Sequence, residues 1–151
     1  MAAAIGWQHA AAIERNIRQD LLLDYMIDSY KFGRIIIEGE EYTTDLILTP
    51  TKIIKNWQKE EGLLLKASDL KQAMKELSEQ SEGKLGTLVT KNPSVLIIGI
   101  GFEGCMKLDS SVEYICSKNN VTLIVQKTKE AVATFNSMKA PGVVAALNLT
   151  C

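Results

Sequence analysis

Histidine is almost missing from this chain, which holds a single one, His9. The usual zinc sites and Ser-His-Asp triads need histidine as a ligand or as a base, so both are excluded in their common forms. We expect no metal and no cofactor. No catalytic residue can be assigned from the sequence, and an enzyme is the less favoured interpretation.

An excess of charge is missing as well. Lysine and arginine number 17 against 18 acidic residues, which gives a net charge of -1. Nucleic-acid-binding proteins concentrate positive charge on one face, so we expect no nucleic-acid partner. No run approaches the ~18 apolar residues of a membrane-spanning helix, and the start lacks the layout of a secretory signal. We therefore expect no membrane association.

Cysteine is sparse, and Cys105, Cys116 and Cys151 form no CxxC pair. An odd number of cysteines, in a chain long enough to bury a core without covalent staples, predicts reduced thiols. Reduced thiols in turn favour a cytoplasmic location. A mitochondrial location stays open, because residues 1–20 are rich in alanine and contain two arginines.

The beginning of the chain has the spacing of an amphipathic helix. Apolar residues recur there at every fourth position, at Ile13, Ile17, Leu21 and Tyr25. We expect residues 1–25 to form a helical extension and residues 26–151 to form one domain. Whether the extension packs on the domain or lies outside its core stays open.

The first part of the domain is rich in strand-forming residues. Runs of β-branched and aromatic residues at 29–38 and 42–48 predict a hairpin whose turn lies at 38–41. Residues 51–65 predict short strands around a turn. Ser68 or Asp69 is expected to cap a helix that reaches Leu77, and the polar residues 78–86 predict a loop after it.

The second part alternates strands and helices. Strands are predicted at residues 95–98, 121–126 and 143–149, with helices at residues 110–117 and 129–138 between them. This alternation is typical of parallel strands with right-handed crossovers. We therefore predict an α/β domain in which a β-hairpin half precedes a βαβαβ half.

Glycines follow the first of these strands with the GxGxxG spacing of dinucleotide-binding proteins, at Gly99, Gly101 and Gly104. In such proteins a helix follows the glycines at once, and an acidic residue ends the next strand. Here a capping box formed by Ser110 and Glu113 starts the helix late, and no carboxylate lies near the next strand's end. We therefore interpret the glycines as a turn in which positive φ or close packing excludes a side chain.

A pocket for a small anionic ligand at the same loop is the alternative, since α/β sheets place ligands at the carboxyl ends of their strands. A helix start is a favourable place for an anion. The candidate ligand-binding residues are Gly99, Gly101, Glu103, Gly104, Cys105 and Ser110.

Other reactive side chains have simpler interpretations. Cys105 has no nearby histidine as a base, and we expect it to be a buried apolar residue. Trp57 is expected to be at least partly buried. The lysines that flank it are spaced with acidic residues and predict a solvated face, at Lys52, Lys55 and Lys59.

Several segments in a fixed order resemble the Mth domain family, a family of small domains of unknown function. They are YKFGRI at 30–35, DLILTP at 45–50, NWQKEEG at 56–62, DL at 69–70, LIIGIG at 96–101 and VAALNLTC at 144–151. The family includes an adipogenesis-associated vertebrate protein and a mitochondrial complex I assembly factor. The resemblance implies a layered α/β fold, with a central mixed sheet flanked by helices.

The resemblance also implies an assembly or interaction protein rather than a characterised enzyme. Relatives tend to have histidine where this chain has Leu63 and Asn148, so it does not predict a histidine-dependent activity here. Our leading hypothesis is a non-catalytic binding or assembly-factor module with a protein partner or a second copy of itself. The alternative is a small-molecule-binding protein or enzyme that uses residues 99–105.

Overall fold

The computed structural model describes residues 25–49, 51–80, 82–85, 88–91, 94–138 and 140–151. The helix predicted in the extension and Pro50 lie outside these ranges. In chain order the elements are β1 (Ile27–Lys31), β2 (Arg34–Ile37), β3 (Glu40–Tyr42), β4 (Leu46–Leu48), β5 (Ile53–Ile54), β6 (Leu64–Leu65), a 3₁₀ turn (Ala67–Leu70), α1 (Lys71–Gln80), β7 (Glu82–Leu85), β8 (Leu88–Lys91), β9 (Val95–Ile100), β10 (Lys107–Leu108), α2 (Ser110–Lys118), β11 (Thr122–Gln126), α3 (Thr128–Met138) and β12 (Val143–Asn148).

A mixed five-stranded sheet forms the centre of the molecule, in the order β11-β9-β12-β4-β5. Strands β9, β11 and β12 are parallel to one another. Strand β4 runs antiparallel to β12, and β5 runs antiparallel to β4. The α/β fold and the mixed central sheet are confirmed, and so is the alternation of strands and helices in the second half of the chain.

The two faces of this sheet carry separate apolar cores, because successive strand residues point to opposite sides. On one face, Leu96 and Ile98 of β9 lie in a cluster with residues of α1 and α2. On the other face, Val95 and Ile97 lie in a cluster with residues of α3 and of β1 and β2. The domain is therefore layered, with buried β-branched and small residues in its middle strands.

The predicted hairpin is correct in its turn within residues 38–41, which joins β2 to β3, but not in the extent of its two strands. Residues 29–38 are not one strand but the greater part of two, β1 and β2, which pair antiparallel around a turn at Phe32 and Gly33. Gly33 has φ +74°, a conformation that glycine adopts without steric cost. Strands β1, β2 and β3 form a sheet of their own, and β4 leaves it to join the central sheet.

The structure also corrects the predicted N-caps of two helical segments. Asp109, not Ser110, is the N-cap of α2, and its carboxylate accepts the N–H of Ser111 at 3.1 Å. The predicted capping box of Ser110 with Glu113 is thus wrong, although the helix does begin at Ser110.

The first helical segment begins earlier than predicted. Its N-cap is Lys66, whose N–H donates to the carboxylate of Asp69 at 3.0 Å, so neither Ser68 nor Asp69 is the N-cap. Helix α1 then continues to Gln80, and β7 begins within the predicted loop at residues 78–86. Within the described ranges, no helix is long and apolar enough to cross a membrane.

Candidate functional site

The glycine-rich loop lies at the carboxyl end of the central sheet. Strand β9 ends at Ile100 and its neighbour β12 ends at Asn148, and because the two are parallel their following segments meet. Gly101 and Gly104 have φ +105° and +75°, which lets the chain curl back immediately after the strand. The loop therefore packs against residues 149–151.

The N–H groups of this loop donate to oxygen atoms of the protein. Phe102 N–H donates to the main-chain oxygen of Thr150 at 3.1 Å, and Glu103 N–H donates to that of Cys151 at 2.6 Å. Gly101 N–H donates to Thr128 Oγ1 at 2.9 Å. In a dinucleotide site such N–H groups face the pyrophosphate. In this loop they hold the chain to its own neighbouring segment.

Close packing accounts for glycine at 99 and 101. A Cβ atom at Gly99 would lie 2.9 Å from Thr128 Oγ1 and 3.0 Å from Leu147 Cδ2. A Cβ atom at Gly101 would lie 2.6 Å from the main-chain oxygen of Thr150. The interpretation of the glycines as a tight turn at a strand end is therefore confirmed.

Thr128 joins the loop to the end of β12. Its hydroxyl is fully buried, accepts from Gly101 N–H and donates to the main-chain oxygen of Asn148 at 2.6 Å. A buried hydroxyl that both donates and accepts leaves no polar atom without a partner at this crossing. One side chain thus fixes the ends of two parallel strands relative to each other.

Two of the cysteines are joined, against expectation. Cys105 and Cys151 form a disulfide with their Cα atoms 5.7 Å apart. Cys105 is exposed, so its predicted burial is also wrong. Cys116 is the free cysteine, and burial raises the pKa of its thiol.

Ser110 is separated from the other candidate residues by β10. It begins α2, whose N-terminus is already occupied by the Asp109 carboxylate. Hydrogen bonds from Ser111 hold the pKa of that carboxyl below its ordinary value. An anion at this helix start would meet a fixed negative charge. The structure brings together Gly99, Gly101, Glu103, Gly104 and Cys105 and places Ser110 on a different segment.

A cleft of about 420 Å³ opens beside residues 149–151, and Trp57, Lys59, Leu63, Asn148 and Cys151 are among its lining residues. The Lys59 side chain is only 6% exposed, which corrects the predicted solvated face at this lysine. Its ammonium lies 4.3 Å from the centre of the Trp57 ring. Lys52 and Lys55 are exposed as predicted, and Trp57 is buried.

Asp45 links Lys59, which lines this cleft, to the residue that follows β12. One carboxylate oxygen accepts from Lys59 Nζ at 2.8 Å, and the other accepts from Leu149 N–H at 2.7 Å. Asn148, itself buried, accepts the N–H of Thr150 at 3.0 Å.

Among the residues that the structure describes, no group of three His, Cys, Asp or Glu side chains is placed to hold a metal ion.

An exposed aromatic pair lies at the same end of the molecule. The rings of Phe32 and Phe102 meet edge to face, with 5.8 Å between their centres, and are 59% and 43% exposed. The main chain at each turn is tied to residues 149–150, since Gly33 N–H donates to the main-chain oxygen of Leu149 at 2.7 Å and Phe102 N–H donates to that of Thr150. Tyr30, on the strand that precedes Phe32, donates its hydroxyl to the main-chain oxygen of Leu149 at 2.8 Å, and burial raises the pKa of this phenol.

Sequence reasoning did not identify the residues that organise this end of the sheet, which are Phe32, Asp45, Phe102, Thr128 and Cys151. Asp45 lies directly before a strand, and Thr128 follows closely after one. Their positions at strand ends were the available signal, because neighbouring strands bring such residues to one edge of the sheet.

Comparison with known proteins shows which family model and which solved structures this chain matches. A family model described as protein of unknown function (DUF498/DUF598) matches residues 27–149. The chain is similar to the solved structure of XCC1710 from Xanthomonas campestris, with a TM-score of 0.62, 17% identity, and 83% of this chain and 84% of that chain covered.

Two further solved structures have the same fold. A Mth938-like domain from Bordetella pertussis has a TM-score of 0.58 and 21% identity over 82% of this chain and 85% of its own. PH1505 from Pyrococcus horikoshii has a TM-score of 0.57 and 21% identity over 83% of this chain and 98% of its own. No curated protein matches this chain.

Proposed function

Since this chain belongs to the DUF498/DUF598 family of proteins of unknown function, we propose its role from its own surface: it is a non-catalytic binding or assembly-factor module. The observation that carries the proposal is the exposed pair Phe32 and Phe102. Aromatic side chains are prominent among the few residues that supply most of the binding energy in protein interfaces. The partner is a protein that covers the two rings with an apolar segment.

The rigidity of the pair supports this role. Each phenylalanine lies in a turn that a main-chain hydrogen bond ties to residues 149–150. Anchors that are ordered before binding lose little conformational entropy when the partner docks. The rings are also close enough to each other for one partner side chain to contact both.

Affinity capture with matched variants tests the proposal. The tagged full chain, Phe32→Ser, Phe102→Ser and the control Tyr114→Ser would each be incubated with native extract, and retained proteins quantified by mass spectrometry. Tyr114 is an exposed aromatic residue, at 68%, on α2 rather than in this pair. A binding anchor contributes at least about 2 kcal/mol, so we expect retained partners to fall roughly 30-fold with the phenylalanine variants only.

The outcomes separate the alternatives. Equal retention by all four proteins, or an equal loss with Tyr114→Ser, would contradict docking at the pair. Light scattering on the same samples tests self-association: a dimer that dissociates only in the phenylalanine variants identifies a second copy as the occupant. A cytoplasmic or mitochondrial location belongs to this proposal, and cell fractionation checks it.

The cleft favours a second candidate function, the binding of a small anionic ligand. It adjoins the predicted loop through Cys151 and offers the Lys59 ammonium together with the amide of buried Asn148. Lys59 already pairs with Asp45, so the net charge available to a ligand is small. For this reason the protein-binding role is the one we favour.

Thermal shift with a panel of nucleotides and anionic metabolites tests the cleft. We expect a ligand to stabilise the full chain and the control Lys118→Gln, which changes an exposed lysine on α2, but not Thr150→Val, which removes a hydroxyl from the cleft. No shift with any compound, or an equal shift in both variants, would contradict a ligand at this place.

A further inference from the structure

The disulfide between Cys105 and Cys151 lies where solvent reaches it. Cys105 is exposed, and Cys151 is half-buried beside the cleft. Thiol–disulfide exchange needs a thiolate to approach one sulfur, so access decides which disulfides react. Exposed disulfides are the labile ones, whereas shielded ones serve as permanent staples. Cys105 is the more exposed of the two residues, so its sulfur is the point of attack.

The main chain holds the two cysteines together independently of their bond. Glu103 N–H donates to the main-chain oxygen of Cys151 at 2.6 Å, and Phe102 N–H donates to that of Thr150. After reduction these hydrogen bonds still form but open more often without the covalent link, so the two cysteines stay near each other while the loop loosens. Re-formation of the disulfide then closes no long disordered loop, and its entropic cost is small. The geometry favours a bond that opens and closes reversibly.

From this arrangement we propose that Cys105 and Cys151 are an exchangeable redox pair whose oxidised form clasps the glycine-rich loop to residues 150–151. The reductant is a dithiol. Its thiolate attacks Cys105 Sγ to form a mixed disulfide, and Cys151 leaves as a thiolate that takes a proton from solvent. The second thiolate of the reductant then attacks the reductant's sulfur in the mixed disulfide, which forms a disulfide within the reductant and releases Cys105 as a thiolate, so two electrons pass to the pair. The oxidised dithiol re-forms the Cys105–Cys151 bond by the reverse steps.

Cys116 serves as an internal control. It lies in the core on the inner face of α2, and burial raises the pKa of its thiol. The thiolate is the reactive form, so a buried thiol with a raised pKa reacts slowly while the chain is folded. Exchange at Cys105 and Cys151 is therefore separable from general thiol reactivity.

A redox titration of the full chain tests the pair. The protein would be equilibrated in mixtures of reduced and oxidised dithiothreitol, alkylated with iodoacetamide while folded, and analysed by peptide mass spectrometry. We expect Cys105 and Cys151 to become alkylated together along a single two-electron transition. Cys116 should react only after urea is added, and Cys116→Ser should leave the transition unchanged.

Four results would overturn the proposal. Alkylation of Cys105 and Cys151 in fully oxidised buffer would mean that no bond forms, and separate transitions would mean that they are not a pair. A bond that stays closed in the folded chain at any dithiothreitol ratio would be a permanent staple. In Cys151→Ser, the Cys105 thiol should form a mixed disulfide with one half of oxidised glutathione and release the other half as reduced glutathione. Failure to form this mixed disulfide would show that the Cys105 sulfur is not accessible.

Hydrogen exchange tests the clasp itself. If the disulfide holds the loop, the amides of Phe102 and Glu103 should exchange at least tenfold faster in the reduced protein than in the oxidised one. The amide of Val144, in β12, should not change. Equal protection of Phe102 and Glu103 in both states would refute the clasp.

Discussion

Replacing Gly101 with alanine measures how tightly the loop after β9 packs on the neighbouring segment. Two separate costs meet at this residue. Its φ of +105° is one that L side chains rarely adopt. An added Cβ atom would also lie 2.6 Å and 2.9 Å from the main-chain oxygens of Thr150 and Cys151. Backbone oxygens cannot turn aside, so the loop or the segment must shift.

The two costs can be separated by a matched variant. Gly39 has φ +82° and nothing within 4 Å of its Cβ position, so Gly39→Ala carries only the conformational cost, about 1–2 kcal/mol. Gly101→Ala carries a comparable cost and adds overpacking of about 1–3 kcal/mol. We therefore expect Gly101→Ala to lower the free energy of unfolding by about 2–5 kcal/mol, clearly more than Gly39→Ala does.

Urea unfolding followed by circular dichroism checks this difference, with both proteins kept in the same disulfide state. Equal losses for the two alanine variants would refute the close approach of Gly101 to residues 150–151. A loss at Gly39 greater than that at Gly101 would also show that the steric part of the reasoning is wrong.

Further predictions concern polar contacts at the same end and at one helix start. Thr128→Val should lower the free energy of unfolding by about 1–3 kcal/mol, because two buried backbone groups lose their partner, while Thr128→Ser should lose less. Asp45→Asn leaves the nearly buried Lys59 without its anion, so it should lower the free energy of unfolding by about 2–3 kcal/mol. As a control, Glu41→Gln removes the exposed ion pair with Arg34 and should lower the free energy of unfolding by less than ~1 kcal/mol. The pKa of Asp109 is lowered in the folded chain. Its charge therefore stabilises the fold at pH values above 3.8, the ordinary pKa of the carboxyl, and this stabilisation is lost as the pH falls through the lowered pKa of the folded chain. The urea midpoint of Asp109→Asn should thus lie below that of the natural chain at pH 7, and the difference should vanish in acid.

The second half of the fold was predictable because its apolar runs alternate with amphipathic ones. Strands β9, β11 and β12 and helices α2 and α3 lie close to their predicted positions. The turn at Phe32 and Gly33 was missed because a single glycine is its only turn signal within a run of strand-forming residues. Strand β7 was missed because its sequence, Glu82–Leu85, is too polar to indicate a strand.

The position of the glycine-rich loop could be predicted from the sequence but its contacts could not, and ligand binding at this loop stays a prediction. The position of the loop follows from strand order, and its glycines have the predicted turn role. The disulfide was missed because Cys105 and Cys151 are 46 positions apart and become neighbours only through the pairing of β9 with β12. Burial of Lys59 was missed because spacing alone does not show that Asp45 lies beside it.

The position of β12 in the sheet bears on how the chain is made. Every other described strand precedes β12 in synthesis, yet β12 lies between β9 and β4 and pairs with both. Until residues 143–148 leave the ribosome, those two strands present unpaired apolar edges, which are prone to aggregate. Long-range pairing of this kind also folds slowly. The edges of β4 and β9 are therefore open to unwanted strand pairing until β12 is in place.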